Sequence, residues 1–260
     1  MELIFLGTGA GAGVPAFYCR CKVCNEARNN PRLKRTRSAI MLDGKEKILL
    51  DAPVELAEQL LHTGIERIDY LFLTHWHYDH VGGLGDIELY AWLHRKKLLP
   101  AFMSQETWEQ IQNIDNWLTY YLEVQIIEIG NVIKLGEVCI TALEATHAPG
   151  TLGFLIEHDG ELTAYFPDTG PLNAKTKRQL QGIDCLILDS TFFGSNWYPN
   201  EHLSFDQAIA LGQELEVKRL YLTHLSMHYD TPVTNQELER AIEPYGQRVH
   251  LAYDGLRLAL

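Results

Sequence analysis

The chain has 260 residues, 46% of them hydrophobic, and its 22 Lys and Arg against 34 Asp and Glu give a formal net charge of −12 at pH 7. This length and apolar content predict one large α/β domain with a substantial core. The acidic balance argues against a broad nucleic-acid-binding face, because contact with phosphate backbones needs clustered Lys and Arg. Metals or a few local bases must therefore meet the charge of any phosphate ester.

The N-terminal segment and the cysteines indicate a compartment. Residues 1–6 lead directly into Gly7 without a basic region and a long apolar run, so we expect neither a signal peptide nor a membrane span. The five cysteines, an odd number, fit thiols in a reducing cytoplasm better than a disulfide framework. Cys139 and Cys185 lie in apolar, strand-like segments and are expected to be small core residues.

Strands and helices alternate through the first half of the chain. A strand at 2–6 is followed by a glycine-rich turn at 7–13, which lacks the helix of a dinucleotide-binding fingerprint and instead predicts close approach of backbone to a metal or phosphate. The basic segment at 24–37 is predicted to be a solvated loop or short helix. Further strands are predicted at 38–42, 46–50, 68–74 and 100–103, and helices at 54–62, 84–98 and 105–118.

The second half repeats this alternation of hairpins and helices without a linker or a low-complexity tract. Strands are predicted at 124–129, 137–144, 151–157, 161–166, 184–189, 218–223 and near 249 and 256, and helices at 173–181, 204–215 and 236–242. Hairpins and helices in both halves predict two sheets packed face to face with helices outside. We expect residues 1–260 to form a single domain.

The segment at 74–80 follows an apolar strand and carries His75, His77, Asp79 and His80. Imidazole and carboxylate groups are the ligands that zinc and similar divalent metals take in proteins. In an extended chain His75, His77 and Asp79 would share one face, and His80 would follow where the chain turns into a helix. The segment therefore predicts a metal site with enough ligands to serve two neighbouring ions.

Four further residues follow predicted apolar strands, namely Asp51, His147, Asp168 and His224. At the carboxyl end of a strand, a loop can present a side chain to a shared cleft. This position makes His147, Asp168 and His224 candidates for the additional ligands that a two-metal site needs.

The run from His75 to His80 resembles the signature of the metallo-β-lactamase superfamily, and the later candidates resemble its later motifs in order and flanks. The resemblance implies an α/β (α+β) fold, a four-layer αββα sandwich. It implies two divalent ions, zinc or manganese, and it implies their ligands: His75, His77 and His147 for one ion, Asp79, His80 and His224 for the other, and Asp168 bridging. It also implies that Asp51 orients a ligand or nearby backbone from outside the coordination sphere.

The cysteine spacing Cys19-x-Cys21-x-x-Cys24 places three thiols close together, and tetrahedral zinc would need a fourth ligand. With the preceding glycine turn, this segment resembles the accessory phosphodiesterase of the carbon–phosphorus lyase pathway, which acts in phosphonate metabolism. The resemblance implies a small structural-zinc insertion at about 15–36. In that family a His three residues after the last metal-site His completes the zinc site; Met227 stands there in this chain, so we assign His228.

His202 lies in a loop before a predicted helix, as does a histidine that the phosphodiesterase family uses near its metals. The resemblance implies that His202 is a general acid or substrate ligand, and we count it with Asp79 among the catalytic residues. The aromatic run at 192–198 is expected to form a wall that excludes water, or else a packed surface loop.

The function implied is metal-dependent hydrolysis of a small cyclic ribose phosphate, such as phosphoribosyl 1,2-cyclic phosphate, by a metal-bridging hydroxide that attacks phosphorus. Two alternatives stay open: an RNA-processing nuclease of the same superfamily, and a non-catalytic carrier resembling the pyrroloquinoline quinone biosynthesis protein. The chain lacks a long basic arm for gripping RNA. The family resemblance further implies a homodimer, a small phosphodiester as partner, and no membrane partner.

Overall fold

The structure, a computed structural model, describes residues 1–114, 117, 120–229 and 231–260. Its first group of strands comprises β1 (Glu2–Gly7), β2 (Ala39–Asp43), β3 (Lys47–Leu50), β4 (Tyr70–Phe72), β5 (Leu99–Met103) and β6 (Leu122–Ile126). The remaining strands are β7 (Val132–Leu135), β8 (Val138–Glu144), β9 (Leu152–His158), β10 (Glu161–Phe166), β11 (Cys185–Asp189), β12 (Arg219–Thr223), β13 (Val249–Leu251) and β14 (Arg257–Ala259).

The α-helices are α1 (Lys22–Asn29), α2 (Leu56–Thr63), α3 (Tyr78–Val81), α4 (Leu84–Leu89), α5 (Gln105–Ile114), α6 (Ala174–Leu180), α7 (Phe205–Glu214) and α8 (Asn235–Ile242). Short 3₁₀ segments occur at Pro31–Leu33 and Glu243–Arg248, and α4 continues as a π-helical segment at Tyr90–Arg95. Ser204 caps the N-terminus of α7 and Thr234 that of α8, each through a reciprocal capping box that satisfies free backbone N–H groups. Of the helices described, none combines the length and apolarity needed to cross a membrane.

The strands form two seven-stranded sheets, in the orders β14-β1-β2-β3-β4-β5-β6 and β13-β12-β11-β10-β9-β8-β7. Each sheet joins an antiparallel part to a parallel part: β3 to β6 run parallel in the first sheet, and β10 to β13 in the second. Parallel strands present their carboxyl ends at the same edge of a sheet. This topology therefore gathers the loops that carry the predicted ligands.

Strand residues alternate between an inner and an outer apolar layer, which explains why the strands are apolar on both faces. In β1, for example, Leu3 and Phe5 pack between the two sheets, whereas Ile4 and Leu6 pack under the helices outside the first sheet. A separate cluster joins the second sheet to the helices on its far side. The predicted four-layer αββα sandwich is thus confirmed.

Phe72 joins the two sheets directly beneath the histidine-rich segment. Its ring stacks on Phe102 at 4.5 Å and meets Phe154 of the second sheet edge-on at 5.4 Å. Aromatic pairs in these arrangements add about 0.5–1.5 kcal/mol beyond the area that they bury. The end of β4 is consequently held against both sheets.

Several local predictions were wrong. Asp79 does not continue an extended face with His75 and His77, because α3 begins at Tyr78 and turns the carboxylate away from that register. The helix predicted at 84–98 leaves α geometry at Tyr90 and forms the π-helical segment.

In the second half, the sequence reasoning missed β7 and placed β6 too late. The predicted helix at 105–118 is observed as α5, and its predicted end at Leu118 lies outside the described residues. All five cysteines are free; Cys185 is buried as expected, but Cys139 is only half-buried.

Gly83 fixes the start of α4 against the loop that follows Asp51. Its N–H donates to Ala52 O at 2.8 Å, and a Cβ at this position would lie 2.2 Å from Pro53 O. We predict that Gly83→Ala lowers the free energy of unfolding by about 1–3 kcal/mol, because backbone must move to admit the methyl group.

Gly85→Ala is the matched control, since a Cβ there meets nothing within 4 Å. It should raise the free energy of unfolding by up to about 1 kcal/mol through helix propensity. Urea unfolding of both variants checks this, and equal effects would contradict the close approach at Gly83.

Candidate metal centre

The candidate ligands lie at one edge of the sandwich, on loops that leave the carboxyl ends of strands. The segment after β4 supplies His75 and His77, and α3 supplies Asp79 and His80. From the second sheet, Asp168 follows β10, His224 follows β12 and His147 lies between β8 and β9. Both sheets are therefore needed to assemble the site.

The first group consists of His75, His77, His147 and Asp168, whose ligand atoms all lie within 4.8 Å of one another. His147 Nε2 is 3.0 Å from His77 Nδ1 and 3.4 Å from Asp168 Oδ2. His75 Nε2 lies 3.6 Å from the same Asp168 oxygen. The structure thus brings together the residues assigned to one metal.

The second group consists of Asp79, His80, His224 and Asp168, again with all ligand atoms within 4.8 Å of one another. His224 Nε2 lies 3.4 Å from Asp79 Oδ2 and 3.6 Å from Asp168 Oδ2. His80 Nε2 is 3.6 Å from Asp168 Oδ2 as well. A single oxygen of Asp168 therefore belongs to both groups, which is the position of a bridging ligand.

These separations fit divalent metals. Two ligand atoms about 2.1 Å from a tetrahedral zinc ion lie about 3.4 Å apart. His75 Nε2 and His80 Nε2 are buried and have no hydrogen-bond partner among the described residues. A buried nitrogen left without a partner is costly, and a metal ion supplies one. The donor set of imidazoles and carboxylates suits zinc and manganese alike.

Protonation states in the first group also fit metal binding. Burial, and then the neighbouring His80, lower the pKa of His75 well below its usual range. Burial and His147 lower the pKa of His77. Neutral imidazole is the form that binds metals.

The second group differs, because carboxylates surround the imidazole of His80. Burial opposes charge on both side chains, but His80 holds the pKa of Asp79 well below its usual range, and Asp51 and Asp79 raise that of His80. Cation binding to His80 would therefore release a proton.

Asp51 lies beneath the ligands rather than among them. It accepts hydrogen bonds from Thr74 N at 2.8 Å and Thr74 Oγ1 at 3.0 Å, and its Oδ2 lies 2.9 Å from His80 Nδ1. Thr74 Oγ1 in turn lies 3.0 Å from His75 Nδ1, and Tyr165 OH donates to Asp51 at 3.4 Å. These contacts occupy Nδ1 of His75 and His80 and leave Nε2 of each directed at the two groups of candidate ligands, which we call the metal groups. Hydrogen bonds of this kind set the orientation and basicity of a metal ligand.

Two more ligands are held in the same way through Nδ1. His224 Nδ1 lies 2.8 Å from Thr191 Oγ1, and His147 Nδ1 lies 2.9 Å from the carbonyl oxygen of Glu201. His224 itself has a left-handed backbone conformation, with φ 56°. Its side chain is consequently placed by its hydrogen bond and by a fixed turn of the chain.

Asp189 is a buried residue of the site that the sequence reasoning missed. It accepts hydrogen bonds from Thr169 N at 3.0 Å, Thr191 N at 2.7 Å and Thr191 Oγ1 at 2.6 Å. His202 Nδ1 lies 3.0 Å from Asp189 Oδ2 and 2.8 Å from Asp168 Oδ1. The sequence does contain a signal for this residue. Asp189 ends the apolar strand β11, and a position at the end of an apolar strand is what identified Asp168.

His202 therefore lies between two carboxylates. Burial opposes the charged form of this imidazole, yet Asp168 and Asp189 outweigh it and raise the pKa of His202 to about 11. The pairing acts in the opposite direction on the carboxylate. Burial alone would raise the pKa of Asp168, but His224 and His202 outweigh burial and hold it well below its usual range.

The metal groups open into a cavity of about 260 Å³. Gly11 of the glycine-rich turn lines it, and a Cβ there would lie 3.2 Å from Asp79 Oδ2, so the turn does approach the predicted site closely. Phe192 and Tyr198 line the cavity as well, and Phe192 is buried. The aromatic segment therefore forms a wall of the cleft.

The structure groups three of the four residues assigned to the structural zinc. Ligand atoms of Cys19, Cys24 and His228 lie within 4.8 Å of one another, whereas Cys21 is not part of this group. Cys21 is the residue that precedes α1, and its side chain packs against the outer apolar cluster of the second sheet. The backbone N–H and the thiol of Cys21 nevertheless contact the Cys19 thiol and lower its pKa, so Cys21 lies beside the group. The assignment of all four residues to one zinc ion stays a prediction.

The αββα fold and the paired His and Asp groups define a metallo-β-lactamase-type protein with the ligands for metal binding. The family profile of the beta-lactamase superfamily domain matches residues 46–225. The chain belongs to this superfamily, as the run from His75 to His80 predicted.

This chain is similar to three proteins that carry different names. The octanoyltransferase of Porphyromonas gingivalis is 28% identical over 264 residues, which cover 98% of this chain and 51% of that protein, so the chain spans about half its length. Coenzyme PQQ synthesis protein B of Methylobacterium nodulans is 28% identical over 306 residues, covering 100% of both. The crystal structure of a diphosphatase from the PhnP family has a TM-score of 0.84 at 24% identity, over 100% of this chain and 97% of that one. At this identity, the structural likeness shows the fold.

We predict that Asp168→Ala reduces the bound metal from about two ions per chain to fewer than one, because both groups lose the oxygen that they share. Elemental analysis after equilibrium dialysis against zinc or manganese measures this. Asp184→Ala is the matched control, since that carboxylate pairs with Lys218 away from the site. Unchanged metal content in Asp168→Ala would contradict the shared ligand.

Proposed function

We propose that this protein is a metal-dependent phosphodiesterase that opens a small cyclic ribose phosphate. The observation that carries the proposal is the position of Asp168 Oδ2, which lies 3.4–3.6 Å from Nε2 of His75, His80, His147 and His224. An oxygen shared between two ligand groups at the base of a small cleft is the arrangement of two-metal hydrolases.

The first group would hold one divalent ion through His75, His77 and His147, and the second would hold another through Asp79, His80 and His224. When bound, such ions supply Lewis acidity that offsets phosphate charge and lowers the pKa of coordinated water. The net charge of the chain is then no obstacle to an anionic substrate, because bound cations dominate the local field.

The side chain of His202 is placed to hold a proton for the leaving group. Its Nδ1 is engaged by Asp168 and Asp189, which leaves Nε2 as the ring nitrogen available to the cavity that His202 lines. Asp189 also fixes Thr191, and Thr191 fixes the metal-group residue His224. Asp189 is therefore a positioning residue for both the proton donor and one ligand.

The size of the cavity and the net charge of the chain support a small substrate over RNA. The cavity of about 260 Å³ suits a single sugar phosphate better than a folded nucleic acid. The net charge of −12 also disfavours the electrostatic attraction to phosphates on which RNA affinity depends.

A carrier role in cofactor biosynthesis is the second candidate, because the similarity to coenzyme PQQ synthesis protein B spans both chains completely. The full set of His and Asp ligands favours hydrolysis instead, and turnover separates the two. The homodimer and the link to phosphonate metabolism that the resemblance implies stay predictions, as does the cytoplasmic location that the cysteines and the N-terminal segment indicate.

The test is phosphorus NMR of zinc- or manganese-loaded protein with a five-membered ribose cyclic phosphate, beside a linear diester and a precursor RNA. We expect the cyclic ester to open to one monoester regioisomer while the RNA stays intact. Absence of turnover by the fully metallated protein would contradict the proposal.

The same assay with His202→Ala tests the proton donor. Turnover should fall roughly 10²–10⁴-fold for an alkoxide leaving group. It should fall far less for a 4-nitrophenolate leaving group, which needs no proton. Metal content, measured in parallel, should stay at the wild-type value; equal losses with both leaving groups would contradict the role.

A further inference from the structure

A cavity of about 430 Å³, which we call the α2 cavity, is lined by residues of α2, of the 3₁₀ segment at Pro31–Leu33 and of the turn between β13 and β14. Among the described residues, none lines both this cavity and the cavity at the metal groups. Ligand sites are concave, partly apolar spaces that hold a few polar groups. The lining of the α2 cavity has that composition, and it includes Leu6, Arg32, Lys34, Gln59, Tyr253 and Asp254.

Gln59 contributes a hydrogen-bond acceptor that the fold leaves unused. Its Nε2 donates to Thr36 Oγ1 at 2.8 Å and to Arg37 O at 2.9 Å, and these two bonds fix the orientation of the amide. Only 3% of Gln59 is exposed, and its Oε1 is buried without a hydrogen-bond partner among the described residues. A buried acceptor without a donor is unfavourable, and a ligand with an N–H group would supply the donor.

Asp254 contributes a carboxylate that makes no ion pair within the described part of the chain. It accepts hydrogen bonds from Thr8 Oγ1 at 2.7 Å, Thr36 N at 2.6 Å and Thr36 Oγ1 at 2.8 Å. Arg35 is buried nearby, but its guanidinium donates to Thr8 Oγ1 and Asn235 Oδ1 instead. Burial raises the pKa of Asp254 in spite of these neighbours, so a cation placed against this carboxylate would be stabilised.

Two cations line the same cavity. Arg32 and Lys34 are both exposed, and neither side chain has a hydrogen-bond or ion-pair partner among the residues that the structure describes. Tyr253, which is 53% exposed, adds an aromatic surface. The lining therefore offers acceptors at Gln59 and Asp254, cations at Arg32 and Lys34, and apolar surface as well. A ligand that carries both a positive and a negative group on an apolar body matches this combination.

The α2 cavity is connected by hydrogen bonds to the glycine-rich turn at 7–13. Thr36 O accepts from Gly9 N at 2.7 Å, and Arg37 Nε donates to Gly11 O at 2.8 Å. Gly11 lines the cavity at the metal groups. Because the Gln59 amide binds both Thr36 and Arg37, a ligand that holds Gln59 also restrains the turn.

We propose that the α2 cavity binds a zwitterion, either a free α-amino acid or a dipeptide with an apolar side chain, and that the bound ligand restrains the glycine-rich turn. The ammonium group contacts Gln59 Oε1 and Asp254, and the carboxylate contacts Arg32 and Lys34. The apolar side chain of the ligand packs against Tyr253. This is an effector site, so it stands apart from the hydrolysis proposed for the metal groups.

Isothermal titration calorimetry of the metal-loaded protein tests the ligand class with L-leucine and glycyl-L-leucine. N-Acetyl-L-leucine lacks the ammonium group and should bind roughly 10- to 150-fold more weakly than leucine, the range for hydrogen bonds to a charged group. Tighter binding of leucine would identify a free amino acid, and tighter binding of glycyl-leucine a dipeptide. Binding of neither, or equal binding of leucine and N-acetyl-leucine, would overturn the site.

Substitutions in the lining locate the two ends of the ligand. Arg32→Ala combined with Lys34→Ala should weaken leucine binding roughly 2- to 25-fold, because each exposed ion pair contributes up to roughly 5-fold. The same variant should leave the binding of L-leucinamide, which has no carboxylate, unchanged. Asp254→Asn should weaken leucine and spare N-acetyl-leucine. Lys45→Ala is the matched control, since Lys45 is an exposed cation between β2 and β3 and outside the cavity. Equal losses for leucine and leucinamide in the double variant would overturn the carboxylate contact.

α-Amino acids also chelate divalent metals, so Asp168→Ala separates the α2 cavity from the metal groups. This variant loses the oxygen that both metal groups share and should bind leucine as tightly as the wild-type protein. Loss of leucine binding in Asp168→Ala would place the ligand on the metals and overturn the α2 cavity.

Hydrogen exchange followed by mass spectrometry tests the restraint of the turn without relying on turnover. Leucine should slow amide exchange in residues 7–13 of the wild-type protein, and it should have a smaller effect at the same concentration in the Arg32→Ala, Lys34→Ala double variant. Leucine binding with unchanged exchange in this segment would overturn the restraint.

Discussion

The Asp168 carboxylate lies between two groups of imidazole nitrogens, and the architecture of the site follows from the need to keep it there. It is buried, and its Oδ2 is within 3.6 Å of His75 from the first sheet and of His224 from the second. Burying a carboxylate is unfavourable unless opposite charges or hydrogen-bond donors surround it. The imidazoles of both sheets, together with His202, meet that requirement.

Hydrogen bonds behind the ligands connect the site to the strands of both sheets. Asp51 at the end of β3 and Asp189 at the end of β11 occupy comparable places in the two sheets, each buried and each fixing a threonine beside a metal-group histidine. The same construction on both sides of the cleft aligns two sets of ligands. A cleft lies between them, and Phe192 and Tyr198 form part of its wall.

The sequence identified site residues wherever a metal-binding side chain directly follows an apolar strand. Apolar strands followed by His or Asp identified the residues of both metal groups, because parallel strands bring their carboxyl ends together. Asp189 follows the same rule and was overlooked within an apolar strand. The helical turn at Asp79 and the packing of Cys21 against the core were not predictable, since each depends on tertiary contacts that local patterns do not encode. The π-helical segment at Tyr90–Arg95 likewise has no signal in apolar spacing.

Electron paramagnetic resonance of the manganese-loaded protein tests most directly whether one carboxylate joins two metals. Two ions about 3.5–4 Å apart with a common ligand are magnetically coupled. The account predicts a coupled spectrum in the wild-type protein that is replaced by that of isolated manganese in Asp168→Ala. A wild-type spectrum of isolated ions at full occupancy of both groups would contradict it.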